Sequence, residues 1–574
     1  MPRKNDIRDS AGLKNIFNII KYYILPYSIF LVIIFLLFKD STHLGMQFDE
    51  VIRINNLLPF FYPDTQVYDQ NIFSIHLFGY HIPLIYKFYL SSAMLIPYIP
   101  LALFKNDLLF GLRFLYGFYF FLSISVFFLI MSRKIDYTIS LLTSILIITS
   151  PLFYPDALLG FAHSIHLIFI SCAIYSFYLF FEEHRSQFFL FLGTFLLFFE
   201  ANIEAYFLWV IAGLTIASIV IFSQYWKKVL GSIQYCLVIL AAIILGWINF
   251  LIYNIFVPFA TIKPIYFRIF DPLTYAESPV DYKQTSPLFA DVWSKLTTTF
   301  PSFYSDYGIF YIILIIAMTI LYIFLASKII KMHRISQYKQ YFFPFLCFSL
   351  IFILILLSPN TTRAGHYVYL IPFFELSIVF LFLLGEKIFN RKYLSKVLII
   401  TLIGLIVLNS VIIGMEVSSY RHTRGQGIYS PAIFDLNDYI HDESIRPDDI
   451  IFLEWGMYSQ LYFLNKGDFK IHSIVFQLYD TKDSEERKSV FTKFFLKQKN
   501  PGQSDRLYFP LYRDGFNSRN DAILADFIEF ITENNGTVKK IATFYETNGD
   551  EVMDMYALEN SERFLQTIQS GNKK

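Results

Sequence analysis

The sequence predicts a polytopic α-helical membrane protein with about eleven transmembrane helices and a C-terminal α/β domain. Of its 574 residues, 55% are hydrophobic and only 16% are charged, whereas an average soluble domain contains about 25% charged residues. The mean hydropathy is +0.48. Long apolar runs follow one another as far as about residue 418 and then stop, which places the membrane part first and the α/β part second.

Net charge and cysteine content exclude two other classes of protein. The net charge of +1 gives no indication of nucleic-acid binding, and no nucleic-acid partner is expected. Cys172, Cys236 and Cys347 lie far apart in apolar runs and without CxxC spacing. This pattern indicates neither a disulfide framework nor a zinc site.

The distribution of basic residues predicts the orientation of the chain. Residues 1–22 carry five basic side chains and are expected to form a cytoplasmic N-terminus. Residues 23–418 form the transmembrane domain, whose two long external loops are expected at 39–110 and 257–307. The odd number of spans then places a soluble domain, residues 419–574, outside the cell. These features predict a multi-pass protein of the plasma (inner) membrane.

The individual elements follow from apolar runs and from breaks in them. The spans are expected near 22–38, 111–131, 138–153, 158–181, 187–200, 203–223, 229–256, 308–327, 341–358, 366–385 and 397–416. The further apolar run 84–104 is predicted to be a membrane-surface helix pair, because Pro97 and Pro100 interrupt it. One more crossing there would also move the later basic loops outside. In the C-terminal domain, strands are expected at 449–453, 507–511 and 538–545, and helices at 431–441, 484–497 and 520–534.

The adjacent acids Asp49 and Glu50 form the first candidate site, about ten residues after the first span. A carboxylate held at the membrane surface can act as a general base on a sugar or lipid hydroxyl, although the same residue can be a solvated loop acid. The apolar neighbours Phe48 and Val51 could fix the direction of Asp49. Glu50 is expected to point to the protein and hold the loop.

A second group of acids and histidines is expected near the outer membrane surface. Asp156 lies in a short external turn, where it could also be a helix N-cap. His163 and His166 are spaced i, i+3 and share a helix face. A metal site there would need a third ligand such as Asp156 or Glu50, and the alternative is two polar residues packed between helices.

Other polar residues at the outer edge of the membrane have two interpretations. Glu200 and Glu204 could hold a metal or an amine, or they could simply be interfacial acids. Arg113 and Arg363 could anchor their helices by extending to headgroups. They could also bind phosphate, because the geometry of a guanidinium group matches that of phosphate.

In order and topology, these segments resemble the GT-C superfamily of membrane glycosyltransferases. The similarity covers about residues 20–420 and is greatest to the protein O-mannosyltransferase-like group, which includes aminoarabinose and galacturonic acid transferases of bacterial lipopolysaccharide. The matching segments are Asp49-Glu50 after the first span, His81-Ile82-Pro83-Leu84, Arg113-Phe114, the turn from Ser150-Pro151 to Asp156, and Arg363 to Tyr367 followed by Pro372. A Ser-Arg pair and a lysine that are often found in the family are absent.

The resemblance implies an enzyme that transfers a sugar from a polyprenyl-phosphate donor to an acceptor hydroxyl on the outer face of the membrane, with inversion. It implies Asp49 as the base with Glu50 beside it, and Arg113, Arg363 and His81 at the donor phosphate. A second acidic or metal site would lie at Asp156 and His163. Some relatives use a divalent metal, so a metal cofactor is left open.

Two alternatives to this reaction remain. A polymerase or ligase of lipid-linked polysaccharide would centre on a late external loop rich in Arg and His, but the loop 257–307 contains no His. A lipid or solute transporter would show internal repeats, which the sequence lacks. The sugar stays open, as does the acceptor, which could be a glycolipid, a glycan or a protein. The Phe-, Ile- and Lys-rich composition suggests a bacterial source.

Overall fold

The structure is a computed structural model, and it describes most of the chain with gaps. The described residues are 24–39, 41, 45–46, 50–51, 54–62, 73–77, 80–87, 90–151, 163–204, 207–259, 292, 308–357, 364–424, 430–454, 456–469, 472–474, 477–478, 481, 483–497, 506–513, 518–559 and 561–571.

Helices dominate the described chain up to residue 424. They are α1 (Leu25–Phe38), α2 (Leu58–Phe61), α3 (Leu108–Ser132), α4 (Tyr137–Ile148), α5 (His163–Phe181), α6 (Phe188–Ile203), α7 (Leu208–Ile221), α8 (Ser223–Leu230), α9 (Ile233–Gly246), α10 (Ile248–Phe256), α11 (Gly308–Lys331), α12 (Ile335–Tyr338), α13 (Phe343–Leu357), α14 (Ile371–Phe389) and α15 (Tyr393–Thr423). Turns of 3₁₀ helix cover Asn55–Leu57, Ser92–Phe104, Lys339–Phe342 and Ala364–Leu370.

These helices confirm a polytopic helical membrane protein. Within the described ranges, five are long and apolar enough to cross a membrane, or up to seven if each of two bent pairs is one span. Each predicted span overlaps mainly one helix or, at 229–256, the two helices α9 and α10, with boundaries that differ by several residues. The total of about eleven crossings stays a prediction.

Helix boundaries follow from local chemistry. Asp107 precedes α3 and its side chain accepts a hydrogen bond from Phe110 N at 3.0 Å, while Asp136 caps α4 by accepting from Thr138 N at 2.9 Å. Such caps satisfy backbone N–H groups that have no partner within the helix. At the other end of a span, Asn390 ends α14 in the left-handed conformation with φ 50°, which short polar side chains tolerate.

The apolar run 84–104 differs from its prediction. In place of a helix pair, it continues a three-stranded antiparallel sheet of β1 (Phe73–Leu77), β2 (Tyr80–Lys87) and β3 (Leu90–Ser91), and then forms the 3₁₀ helix. Pro100 has no N–H to donate to the carbonyl of Pro97, and the hydroxyl of Tyr119 donates to that carbonyl at 2.6 Å instead. Each proline also removes one backbone donor and clashes with the preceding turn of an α-helix, so the two prolines disfavour an α-helix here.

The predicted single span 229–256 is bent. Helices α9 and α10 meet at Trp247 with an angle of 75° between them. On α9, a Cβ added to Gly246 would lie only 2.9 Å from the carbonyl oxygen of Phe195. The missing side chain thus lets α9 approach α6 closely, as small residues do between membrane helices.

The loops around residues 134, 182 and 225, each between two predicted spans, meet at one end of the helices. Lys134 Nζ lies 2.8 Å from Glu182 Oε2, and the Tyr225 hydroxyl of α8 donates to Glu182 Oε1 at 2.7 Å. The hydrogen bond from Lys134 contributes most to lowering the pKa of Glu182. Lys227 and Lys228 also lie on α8, so the basic segments around 134 and 228 share one end, as the positive-inside rule requires.

A cysteine-labelling experiment tests the predicted orientation. Ser336 is exposed on α12 and Asn548 is exposed in the turn before the last strand. In a background without Cys172, Cys236 and Cys347, an impermeant thiol reagent should label Asn548→Cys but not Ser336→Cys in intact cells. Both should react after permeabilisation. Labelling of Ser336→Cys alone would reverse the orientation.

Residues 430–571, hereafter the C-terminal region, combine helices with short sheets. The helices are α16 (Ala432–Asp442), α17 (Met457–Leu464), α18 (Ser484–Lys497), α19 (Ser518–Glu533) and α20 (Ser561–Gly571). The strands are β4 (Ile451–Phe452), β5 (His472–Ser473), β6 (Arg506–Tyr512), β7 (Thr537–Tyr545) and β8 (Glu551–Glu559). Strands β6, β8 and β7 form an antiparallel sheet in that order, while β4 and β5 pair in parallel.

The antiparallel sheet separates two apolar clusters. Leu507 and Phe509 of β6 are buried with Phe527 of α19 and with side chains of α18 and α20. Met553 and Met555 of β8 are buried in a second cluster, which also contains residues of α16, α17 and the segment 46–61. Both faces of the sheet are therefore buried: one packs against α18, α19 and α20, and the other packs against α16, α17 and the first loop of the membrane part.

Candidate functional site

Glu50 forms an ion pair with Arg113 inside the protein. The guanidinium Nε of Arg113 donates to Glu50 Oε1 at 3.0 Å and its Nη2 donates to Oε2 at 3.2 Å. The two side chains are 0% and 1% exposed. A two-point contact of this kind fixes direction as well as distance, so Glu50 holds the loop from within, as expected from the sequence.

Arg113 also binds two backbone carbonyls of the segment that follows α1. Its Nη2 donates to Gly45 O at 2.9 Å, and its Nη1 donates to Ser41 O. Asp49 lies between Gly45 and Glu50 in sequence. Arg113, in the second turn of α3, therefore binds the chain on both sides of the predicted base. These contacts favour a positioning role for Arg113 over its predicted role as a phosphate ligand, which stays untested.

A second buried ion cluster joins α5 to the end of α6. The ring nitrogen Nδ1 of His166 contacts Glu200 Oε1, and Nε2 lies 3.3 Å from Glu204 Oε2. All three side chains are at most 3% exposed. The two ring nitrogens of His166 thus lie near two different carboxylates, one at each end of the last turn of α6.

This cluster does not form an evident metal site. The two nitrogens of His166 face different carboxylates, so the three side chains do not converge on one point. Within the part of the chain that the structure describes, no group of three His, Cys, Asp or Glu side chains could hold a metal ion. A divalent metal thus remains a prediction that the described residues do not test.

Apolar packing connects the two ion clusters with each other. Ile203, which lies between Glu200 and Glu204 in sequence, is buried in the same cluster as Val51 and Leu112. Val51 follows Glu50, and Leu112 precedes Arg113. The acidic loop and the end of α6 are therefore packed on a common core.

Aromatic contacts bring a third segment to His166. Its ring centroid lies 5.7 Å from that of Tyr369 and 6.5 Å from that of Phe207. Tyr369 belongs to the 3₁₀ turn Ala364–Leu370, which directly follows the predicted phosphate ligand Arg363. Three segments at the predicted outer ends of spans thus meet around one histidine.

Several predicted site residues fall outside the described chain. Asp49, Asp156 and Arg363 are outside it altogether. The backbone of His81 lies in β2 and that of His163 begins α5, but their side chains lie outside the described part. The roles predicted for these five residues stay predictions.

The sequence did not predict which of the charged residues of the candidate site contact each other. The sequence predicted that His166 shares a helix face with His163 and that Glu200 and Glu204 lie at the outer edge of the membrane, but no local signal pairs them. Arg113 and Glu50 were both singled out, yet assigned different tasks. The signal that could have suggested a buried pair is the cost of a lone charge in the membrane, which applies to Arg113 in the apolar segment of α3.

Known proteins match this chain in structure but not in sequence. No family model and no curated protein matches the sequence. Two crystal structures of ArnT from Cupriavidus metallidurans match the fold, each covering 93% of this chain and 98% of the other. The structure bound to undecaprenyl phosphate has a TM-score of 0.52 at 12% identity. The apo structure has a TM-score of 0.55 at 11% identity.

At these identities the comparison concerns the fold, and it extends over nearly the whole of both chains. The resemblance to the GT-C membrane glycosyltransferases, first seen in short motifs, is confirmed at that level. The protein has the fold of ArnT over nearly the whole of both chains.

Proposed function

We propose that this protein is a membrane glycosyltransferase that takes its sugar from a polyprenyl-phosphate donor. The observation that carries the proposal is the fold shared with ArnT over 93% of the chain, since one of the matching structures was solved with undecaprenyl phosphate bound. The acceptor can be a glycolipid, a glycan or a protein. The apolar helices supply the bilayer contact that a polyprenyl tail requires.

The proposed reaction takes place on the outer face of the membrane. Asp49 removes the proton from the acceptor hydroxyl, and the oxygen attacks the anomeric carbon from the side opposite the phosphate. The bond between the anomeric carbon and the phosphate oxygen breaks, and the polyprenyl phosphate leaves with the electron pair. One displacement inverts the configuration at the anomeric carbon. A positioned general base contributes about 10²- to 10⁴-fold to such a step.

The other charged groups have separate roles in this reaction. Arg363 and His81 bind the donor phosphate and stabilise the charge that grows on it as the bond breaks. Arg113 and Glu50 keep the loop of Asp49 in place through their two-point contact. Asp156 and His163 line a second acidic site, where a divalent metal would be held if the reaction uses one.

A donor-consumption assay tests the function. Purified protein in lipid nanodiscs is given undecaprenyl-phosphate sugars that differ in the sugar group, together with membrane glycolipid extracts as acceptors. We expect release of undecaprenyl phosphate and transfer of the sugar. Movement of the intact donor across a vesicle membrane without release would indicate a transporter. Growth of a repeating chain would indicate a polymerase.

Donor binding by Arg363 gives a separate prediction. Replacing Arg363 with Ala should weaken the apparent donor affinity more than replacing it with Lys, because lysine keeps the charge but loses the planar fork. The measurement is the donor concentration at half-maximal turnover for each folded variant. Parental affinity in both variants would limit this arginine to anchoring its helix.

A further inference from the structure

Helix α17 of the C-terminal region packs directly on the loop that carries the predicted base. Met46, Val51 and Ile54 of the loop are fully buried in one apolar cluster with Met457 and Leu461 of α17. These contacts join segments about four hundred residues apart. The cluster excludes water from the loop on the side that faces α17.

Hydrogen bonds from α17 add direction to this packing. The amide Nε2 of Gln460 donates to the carbonyl oxygen of Met46. The carbonyl oxygen of Ser459 accepts a hydrogen bond from Asn55 Nδ2 at 2.9 Å. All four residues are at least nine-tenths buried, so water cannot replace a lost partner and each bond is costly to break.

Two further contacts orient these groups. The Tyr512 hydroxyl of β6 donates to Gln460 Oε1 at 3.4 Å, which directs Nε2 toward Met46. Gly45 N donates to the carbonyl oxygen of Arg424 at 2.9 Å, where the chain leaves α15. The loop is thereby held from the C-terminal side at Gly45 and Met46.

The held positions flank Asp49 closely. Met46 precedes it by three residues, and Glu50, which Arg113 holds, follows it directly. Three peptide units separate Met46 from Asp49, and consecutive Cα atoms are about 3.8 Å apart, so we expect a displacement of Met46 to move Asp49 as well. A misplacement of about 1 Å can cost up to about 10²-fold in rate.

We propose that α17 positions the catalytic loop, with Gln460 as a positioning residue that acts through the Met46 carbonyl. The inference rests on the proposed function, because it takes Asp49 as the base. The C-terminal region then contributes to the rate of turnover by holding the loop of Asp49. Donor binding, assigned to Arg363 and His81, should not depend on α17.

Gln460→Met tests the proposal, because methionine has nearly the same size and shape but cannot donate a hydrogen bond. We expect kcat to fall about 10-fold, within the range for a misplaced group, with an unchanged donor KM. The matched control is Asn465→Leu, at the residue that directly follows α17. Its amide bonds to Asn437 Oδ1 at 2.8 Å and to Leu461 O, both in the C-terminal region, so its kcat should stay parental.

A rescue experiment separates positioning from general packing. In Gln460→Glu the ionised side chain faces the Met46 carbonyl with an acceptor, while the protonated acid can donate again. Its kcat relative to the parent protein should therefore rise as the pH falls. A ratio that does not change with pH would overturn the assigned role of the Gln460 hydrogen bond.

Hydrogen exchange provides a readout that does not require activity. Amides of segment 45–58 should exchange faster in Gln460→Met than in the parent, while amides of β8 should be unchanged. Parental exchange in segment 45–58 or parental kcat would overturn the proposal. If the parent transfers sugar from none of the donors, the proposed function fails, and the exchange data alone decide whether α17 orders the loop.

Discussion

Asp49→Asn should lower sugar transfer about 10²-fold or more, the low end for loss of a positioned base. Asparagine has the shape of aspartate but cannot accept the proton of the acceptor hydroxyl. The buried contacts on both sides of the loop, at Gly45 and Glu50, do not involve the Asp49 side chain. The variant should therefore insert and fold like the parent, so that the loss appears in turnover at saturating donor.

Asp107→Asn is the matched control for this experiment. It makes the same chemical change at the N-cap of α3, where Asp107 accepts from Phe110 N. Asparagine caps helices about as well as aspartate, so turnover should be parental. If Asp49→Asn also keeps parental turnover, the base lies elsewhere, and Asp156 is the next residue to test.

Arg113→Ala should produce the largest loss of stability. Removing one partner of a buried ion pair typically costs about 3–5 kcal/mol, because the other charge is left without compensation. Here Glu50 is 0% exposed at its side chain, and the carbonyls of Ser41 and Gly45 lose a donor as well. We expect a lower midpoint of thermal unfolding in detergent, together with reduced turnover.

Two comparisons make the stability result specific. Arg133→Ala removes an exposed arginine that pairs with Glu183 at 2.6 Å, with side chains 36% and 27% exposed, and such pairs contribute about 0–1 kcal/mol. The double variant Arg113→Met with Glu50→Leu removes both buried charges and should be less destabilised than either single change. A stable Arg113→Ala variant with weakened donor affinity would instead support the predicted phosphate contact.

Local sequence patterns predict most of the helices for a simple reason. A transmembrane helix satisfies its own backbone hydrogen bonds within one segment, so an apolar run of sufficient length specifies it without reference to the rest of the chain. Spans such as α3 and α14 coincide with the predicted segments on this basis. The prolines at 97 and 100 likewise indicated that the run 84–104 is not an ordinary span.

The same patterns fail where structure depends on distant partners. Strand β2 pairs with β1 and β3, and its apolar residues alone do not distinguish a strand from a helix. The bend between α9 and α10 occurs at Trp247, in a segment whose apolar composition continues through the bend. In the C-terminal region, α17 and β8 were not predicted, and both are packed in the cluster that includes the first loop.

By itself, the sequence determined the fold class, the resemblance to the GT-C glycosyltransferases and the segments that contain the charged residues of the candidate site. Only the tertiary structure decided that Glu50 binds Arg113, that His166 lies between Glu200 and Glu204, and that Gln460 reaches Met46. The physical reason is the sequence separation of the residues that interact. Helix formation depends on neighbours within a few residues, whereas these contacts join residues 34 to 414 positions apart and depend on how the whole chain packs.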